Sequence, residues 1–418
     1  MIDLLSADLR RNPYPAYDQL RSAAPVLRDP RSGAWMLFDY ESVRRALTDH
    51  EAFSSIVSAP GSRTGQWLIF SDPPRHTKLR ALIMRAFTPR AAAGLEPRIR
   101  ELSHDLLDAP SRRGEMDLVA DFSVPLPLMV IAELLGAPAA DWPRFRRWGD
   151  ATMGLSLAVA GSPDAERALA DFVVAHEEMR DYLAALVDER RQRPADDLLT
   201  RLVGAEVDGS RLTSEELLGF FQLLILAGHE TTTNLIDNAM LSLVEHPEQL
   251  ARLGESPELL PSAIEEVLRY RSPVQAMFRL TTRDVELRGQ VIPARRLVMP
   301  MIGSANRDPR QFADPGRFDI ARDPNPHIAF GHGIHFCVGA PLARLEARTA
   351  LPVLLQRLRG LELASAGPWE PREAFHVHGP ARLPIRFKPE RGTRYSGLAA
   401  AELPLRSGSA VPTNDCPS

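Results

Sequence analysis

The sequence predicts a mainly α-helical chain with a minor β part, and three patterns predict it. From Arg75 to about Ala205 apolar residues recur at helical spacing, with breaks at Thr88-Pro89, Ala109-Pro110, Pro125 and Pro127, Gly136-Ala-Pro138 and Gly161-Ser-Pro163. From Leu212 to about Val244 a second run is apolar nearly all round, the signature of a helix buried through the middle of a large domain. Between Arg279 and Pro300 the spacing changes to short alternating runs broken by Gly289 and Pro293, which marks a small β region.

The elements follow in order. Asn12-Pro-Tyr-Pro reads as a turn, followed by an amphipathic helix to about Arg21. Trp35-Met-Leu-Phe reads as a strand, and Glu41 to Thr48 as a helix that places Val43, Ala46 and Leu47 on one face. Ser54 to Gly65 is a Ser-, Gly- and Pro-rich loop, with apolar Gln66 to Phe70 packed over something beyond it. Thr213 and Glu216 form a capping box at the start of the long helix, which stops at His246-Pro247. Pro261 to Tyr270 is a helix, Asn306 to Pro326 a loop, and about Ala340 to Leu358 a final helix. Two short strands follow, near Leu361-Glu-Leu and Leu383-Pro-Ile-Arg-Phe. No linker divides residues 1–390, which read as one domain, whereas 391–418 lack periodicity and read as a disordered tail.

Bulk properties exclude several classes of function. The net charge of −4 gives no reason to expect nucleic acid or an anionic membrane as partner. No run of about 20 apolar residues is present, and the N-terminus has no signal-peptide pattern, so no membrane span and a cytoplasmic location are expected. With two cysteines, Cys337 and Cys416, neither a disulfide framework nor a Cys-rich zinc site can form.

The chemistry concentrates around Phe330-Gly-His-Gly-Ile-His-Phe-Cys337-Val-Gly-Ala-Pro-Leu-Ala-Arg344. A lone Cys among apolar residues is usually a small buried hydrophobe. Here three glycines crowd it and a helix starts directly after it, so helix N-terminal amides favour a thiolate. Gly333 and Gly339 are expected to let backbone N–H groups approach the sulfur closely. A second unusual segment, Ala227-Gly-His-Glu230-Thr231-Thr232, lies in the middle of the long apolar helix. There Gly228 costs about 1 kcal/mol against Ala and the polar side chains need partners. Glu266-Val-Leu-Arg269 is an ordinary helical charge pair by itself. His76 and Arg80, in Asp72-Pro-Pro-Arg-His-Thr-Lys-Leu-Arg80, share one helix face and together suit a carboxylate.

In this order, these four segments resemble the cytochrome P-450 family in its soluble bacterial form. Phe330, Gly333, Cys337 and Gly339 match every fixed position of its haem signature, Phe-x-x-Gly-x-x-x-Cys-x-Gly. The resemblance covers Asn12 to Lys388. It implies one large domain with haem b buried between a long central helix and a cysteine loop, and Cys337 as the axial thiolate on the iron. It also implies haem contacts from Ala227, Phe330, Gly331, His335 and Gly339, with His76, Arg80 and Arg279 joining His335 on the propionates. The central helix would open at Ala227 to Thr232 into a groove for O2 and water, where Glu230 and Thr231 deliver protons. Glu266, Arg269 and Arg317, the last from Phe312-Ala-Asp-Pro-Gly-Arg317-Phe318, would form a structural ion-pair triad.

The implied activity is hydroxylation or epoxidation of a lipophilic small molecule, such as a polyketide or macrolide, terpenoid, steroid or fatty acid, using O2. Apolar positions expected around the substrate are Leu68, Phe70, Leu224, Ala276, Met277 and Phe375, with Met153 to Ala160 nearby. The chain carries no dinucleotide fingerprint. Two electrons from NAD(P)H would therefore arrive through a ferredoxin or flavodoxin with its reductase, Arg344 and Arg348 helping to dock it, and the chain would act as a monomer. A peroxide-driven peroxygenase and a non-catalytic haem sensor are the alternatives; the retained Glu230 and Thr231 argue against both.

Overall fold

In the computed structural model the described residues are 6–390, except 31, 59–60, 88–92, 157–162 and 366. The tail with Cys416 and the breaks at Thr88-Pro89 and Gly161-Ser-Pro163 therefore lie wholly or partly outside the described residues.

The helix Ser214–Glu245 runs through the middle of the structure. Thr213 Oγ1 accepts from the Glu216 amide at 3.2 Å and Glu216 Oε2 from the Thr213 amide at 3.0 Å, so two orphan N–H groups are satisfied reciprocally. Around it pack the helices Pro125–Leu134, Trp142–Met153, Ala165–Gln192 and Ala340–Arg357. Two glycines allow these close approaches. A Cβ on Gly228 would stand 2.7 Å from Ile131 Cδ1, and one on Gly219 would stand 2.8 Å from the Gln66 carbonyl oxygen. The conformational cost of Gly228 is thus offset by helix–helix contact.

Phe221 of the central helix meets Phe145 edge-on at 5.9 Å, and Trp148 meets Tyr182 at 5.3 Å. Such pairs contribute about 0.5–1.5 kcal/mol each beyond their buried area. Gln222, buried on the same helix, accepts from Trp67 Nε1 at 3.0 Å and donates to His176 Nδ1 at 2.7 Å. The apolar segment Gln66 to Phe70 is thereby fastened across the central helix to the helix Ala165–Gln192.

The β part is small. A five-stranded sheet has the order Val26–Arg28, Trp35–Leu37, Leu297–Pro300, Arg279–Thr281, Phe53–Ser54. Its Trp35–Leu37 and Leu297–Pro300 strands run parallel with Trp35 opposite Val298, and the other pairs are antiparallel. Glu115–Asp117, Pro384–Arg386 and Glu362–Leu363 form a second sheet, and Val285–Leu287 pairs with Gln290–Ile292. The strands Val26–Arg28, Phe53–Ser54 and Glu115–Asp117 were not legible in the sequence, because two or three residues carry no measurable period. Among the described residues, no helix is long and apolar enough to cross a membrane.

Candidate active site

The cysteine loop is shaped by its glycines. Gly331 and Gly333 have φ of +75° and +71°, a region closed to most side chains. A Cβ on Gly333 would stand 3.0 Å from the Leu47 carbonyl oxygen, so this glycine seats the loop on the helix Tyr40–Thr48 rather than against the sulfur. At Gly339 a Cβ would stand 3.8 Å from Cys337 Sγ, and the Gly339 amide hydrogen-bonds the sulfur, so the expected approach of a backbone N–H holds at Gly339 and is corrected at Gly333. The Cys337 amide donates to the Phe330 carbonyl at 2.9 Å, and the helix Ala340–Arg357 begins three residues later.

Burial pushes the Cys337 thiol up, while the amides of Gly339 and Ala340 and the charges of Arg80 and Arg344 pull it down without prevailing. The apoprotein therefore favours a thiol. A metal cation at the sulfur reverses that balance, since a coordinated thiol is deprotonated outright.

Across a cavity from Cys337 stand Ala227, Gly228, Thr231 and Thr232 of the central helix. Ala227 is solvent-accessible in mid-helix because it faces this cavity. The helix does not open into a break: it is continuous from Ser214 to Glu245, and Thr231 Oγ1 donates back to the Ala227 carbonyl at 2.6 Å. Such back-bonding tends to bend a helix locally, and Thr231 lines the cavity at this turn. Glu230 points elsewhere. It is 4% exposed, does not line the cavity, and receives Arg372 Nε at 3.1 Å. Burial pushes its carboxyl up, and Arg372 only partly offsets this. Sequence reasoning missed Arg372, because it lies 142 positions from Glu230 in a segment without periodicity.

One side of the cavity is cationic. Arg80, Arg279 and His335 line it, and His76 stands behind with its ring centroid 4.3 Å from that of His335. Arg279 is 2% exposed and donates to its own neighbour's carbonyl, Phe278, at 2.8 Å; it has no carboxylate ion pair among the described residues. Burial brings it down to about 10. Both ring nitrogens of His76 and Nε2 of His335 are buried without partners. Burial, with Arg80 beside it, holds His76 down at about 4, and burial with Arg279 holds His335 at about 3. A buried, unpaired guanidinium and orphaned imidazoles are costly unless something anionic meets them. Carboxylates carried by an otherwise apolar group fit this cradle, and Phe330, Leu224 and Ala227 supply the apolar remainder.

Behind the cysteine loop, Glu266 and Arg269 are both fully buried and joined at 2.7 and 2.8 Å. The third member of this cluster is Arg322, not Arg317. Arg322 Nε lies 3.2 and 3.1 Å from the two Glu266 oxygens. The Arg317 side chain is 63% exposed, and the residue contributes only its carbonyl, which accepts from Arg269.

Arg344, expected to face a docking protein, is 38% exposed and also paired within the chain. It grips Glu265 through two bonds of 2.7 Å, and His327 meets the same carboxylate at 2.9 Å. Arg348 is 55% exposed and lies 3.8 Å from Glu96. Burial opposes ionisation of Glu265, but Arg344 and His327 outweigh it and hold the carboxyl at about 2, against an ordinary 4.5. A depressed acid stabilises the fold above its unfolded value and loses that contribution as pH falls between 4.5 and about 2. Glu265→Gln is therefore expected to flatten the pH dependence of Tm across that window, as followed by thermal unfolding at stepped pH.

Of the expected substrate wall, Leu68, Leu224 and Met277 line the cavity, together with Ile69, Leu223 and Val274. Phe70 does not; it stacks on Trp67 at 5.6 Å and yields its place to Ile69. Ala276 and Phe375 are also corrected: both are buried in a separate core with Tyr14, Tyr17 and Phe38. A strand-like stretch alternates its faces, so Met277 points in where Ala276 points away. Met153 to Ala160 lies partly outside the described residues.

The model of the family described as Cytochrome P450 matches residues 162–378. The chain is 43% identical over 401 residues to cytochrome P450 monooxygenase PikC of Streptomyces venezuelae, covering 92% of this chain and 93% of that protein. It is 40% identical over 401 residues to the vitamin D(3) 25-hydroxylase of Pseudonocardia autotrophica, covering 93% and 96%. The structure of CYP109E1 from Bacillus megaterium in complex with testosterone superposes with a TM-score of 0.81 at 41% identity, covering 90% and 99%. Likeness of this depth, running through both the cysteine loop and the facing helix, establishes that the chain belongs to the cytochrome P450 family of monooxygenases, oxidoreductases that bind haem b through a cysteine thiolate.

Proposed function

We propose that Cys337 is the thiolate ligand, that Arg80, Arg279 and His335 hold the haem propionates with His76 behind them, and that the enzyme hydroxylates or epoxidises a lipophilic small molecule. The observation that carries this reading is that Cys337 of the cysteine loop and Thr231 of the central helix line one cavity whose lining is mostly apolar. Haem, when bound there, supplies the redox chemistry of oxygen activation.

The chain's own residues supply the surroundings. Leu68, Ile69, Leu224 and Met277 exclude water and hold an apolar substrate. Thr231 presents a hydroxyl at the cavity wall, and Glu230, one residue away, is an acid whose hold on its proton burial strengthens. The vitamin D(3) 25-hydroxylase and the testosterone complex are relatives whose named molecules are lipophilic, which supports a substrate of that class. Electrons from NAD(P)H reach the enzyme through a ferredoxin or flavodoxin and its reductase.

Two measurements test this. Lipophilic probes, steroids and macrolides first, are titrated into the haem-loaded enzyme, and a spin-state shift is expected; a spectrum unmoved by every apolar probe overturns the substrate class. Thr231→Ala is expected to lower product formed per NAD(P)H consumed by about 10²-fold, the low end of what positioned proton transfer contributes. Unchanged coupling in that variant removes Thr231 from the mechanism.

A further inference from the structure

A second acid, Asp237, is buried on the central helix and is used by nothing described above. It is 0% exposed, and neither carboxyl oxygen has a hydrogen-bond partner. An orphaned carboxyl at such depth is costly, so its presence calls for a physical reason. Its placement supplies one. Glu230, Asn234 and Asp237 stand at i, i+4 and i+7, one face of the helix. At ~1.5 Å rise per residue the two acids are about 10 Å apart along the axis.

Arg372 lies across the interval. Its Nε meets both Glu230 Oε1 at 3.1 Å and Asn234 Oδ1 at 3.2 Å, while its Nη2 is buried without a partner. Asn234 Nδ2 is likewise unpartnered. On the other side of Asp237 is the turn Val119–Ser123, fastened to the helix by Thr233 Oγ1 donating to the Ser123 carbonyl at 2.8 Å. The Ser123 hydroxyl, also buried without a hydrogen-bond partner among the described residues, is near enough to Asp237 to pull its carboxyl down. Beyond it stands Asp117, which is 17% exposed, accepts from Arg382 at 3.1 Å and is felt electrostatically at Asp237. Among the described residues, the unpartnered groups Ser123 Oγ, the Asp237 carboxyl, Asn234 Nδ2 and Arg372 Nη2 therefore lie between Asp117 and Glu230, which are themselves paired.

We infer that Asp237 is a proton-holding residue that recharges Glu230 from the Asp117 side of the molecule, by a track separate from the substrate cavity. The inference rests on the proposed role of Glu230. In the transfer the O–H bond of the Asp237 acid breaks and one forms on the first of a short chain of intervening waters, each of which passes on a proton of its own, the last to a Glu230 carboxylate oxygen. Asn234 and the free Arg372 N–H orient those waters and carry no proton. Solvent on the Asp117 side then reprotonates the Asp237 carboxylate through the Ser123 hydroxyl, which accepts one proton as it gives up another.

The charges facing Asp237 fix the signs to be expected. Burial raises its carboxyl to about 7; the Ser123 hydroxyl and Arg372 lower it, and Asp117 and Glu230 raise it. The test is an infrared pH titration of the carboxyl C=O band in the full-length haem-loaded enzyme, in H2O and D2O. A band titrating near pH 7 is expected in the native protein and absent from Asp237→Asn, which keeps the side-chain size. Its midpoint is expected to fall in Glu230→Gln and to rise in Ser123→Ala. The same Asp237→Asn enzyme, turning over with a surrogate ferredoxin, is expected to release more peroxide per NAD(P)H and to lose the inflection near pH 7 from that ratio. A native enzyme with no band lost in Asp237→Asn, or a midpoint unmoved in both Glu230→Gln and Ser123→Ala, overturns the track. Failure of the Glu230 reading looks different: the midpoint shifts persist, yet Glu230→Gln leaves the peroxide ratio at the native value.

Discussion

Replacing Cys337 with Ser is expected to remove the strongly red-shifted Soret band of the reduced carbon-monoxide complex and to reduce monooxygenase turnover to background. Serine keeps the shape of the side chain and nearly its volume, so the loop between Phe330 and the helix Ala340–Arg357 is retained. What it removes, on the proposed ligation, is the thiolate that would donate electron density to the iron and favour O–O cleavage. The amides of Gly339 and Ala340 that temper the sulfur would then face a hydroxyl. Spectra of both proteins at equal haem content, read beside NAD(P)H-driven turnover, decide the matter. A native spectrum in the serine variant means that the iron takes its ligand elsewhere.

Glu266→Gln is expected to be the most destabilising substitution in the region behind the haem. The change leaves two guanidinium groups, Arg269 fully buried and Arg322 nearly so, facing a neutral amide. Breaking a buried pair by removing one partner costs about 3–5 kcal/mol. At roughly 2–4 °C per kcal/mol for a domain of this kind, Tm falls by about 10 °C. Arg317→Ala is the informative control. Its side chain is largely in solvent and its carbonyl survives the substitution, so a change within about 0.5 kcal/mol is expected, as for other surface positions. Calorimetry of the three proteins separates the assignments. If Arg317→Ala costs as much as Glu266→Gln, Arg317 and not Arg322 completes the cluster.

Much of this enzyme was determined locally and could be read from the sequence. The capping box at Thr213, the full-width apolar surface of the following helix and the proline that stops it act within one or two turns, so composition dictated that helix. The cysteine loop was equally explicit, because positive φ at Gly331 and Gly333 demands glycine at fixed spacing. The family resemblance rested on such residues, and it extended to residue types, an acid beside a threonine and a cysteine before a helix.

Tertiary structure decided what those residues face. Sequence order alone cannot separate Arg317 from Arg322, since which one reaches Glu266 depends on how the intervening turn directs the chain. Nor can it show that Met277 meets the cavity while Ala276 meets Tyr14 and Phe38, because a shift of one residue exchanges the two faces of an extended segment. Arg344 had the features of a docking cation until Glu265 was found holding it at 2.7 Å. The sequence marked neither Arg372 nor Asp237: one lies 142 positions from the acid it touches, and the other is one acid among several on the central helix, set apart only by its burial. Spacing along the chain reports interactions within a few residues, whereas partners brought together from distant segments are fixed by packing, which no local period encodes.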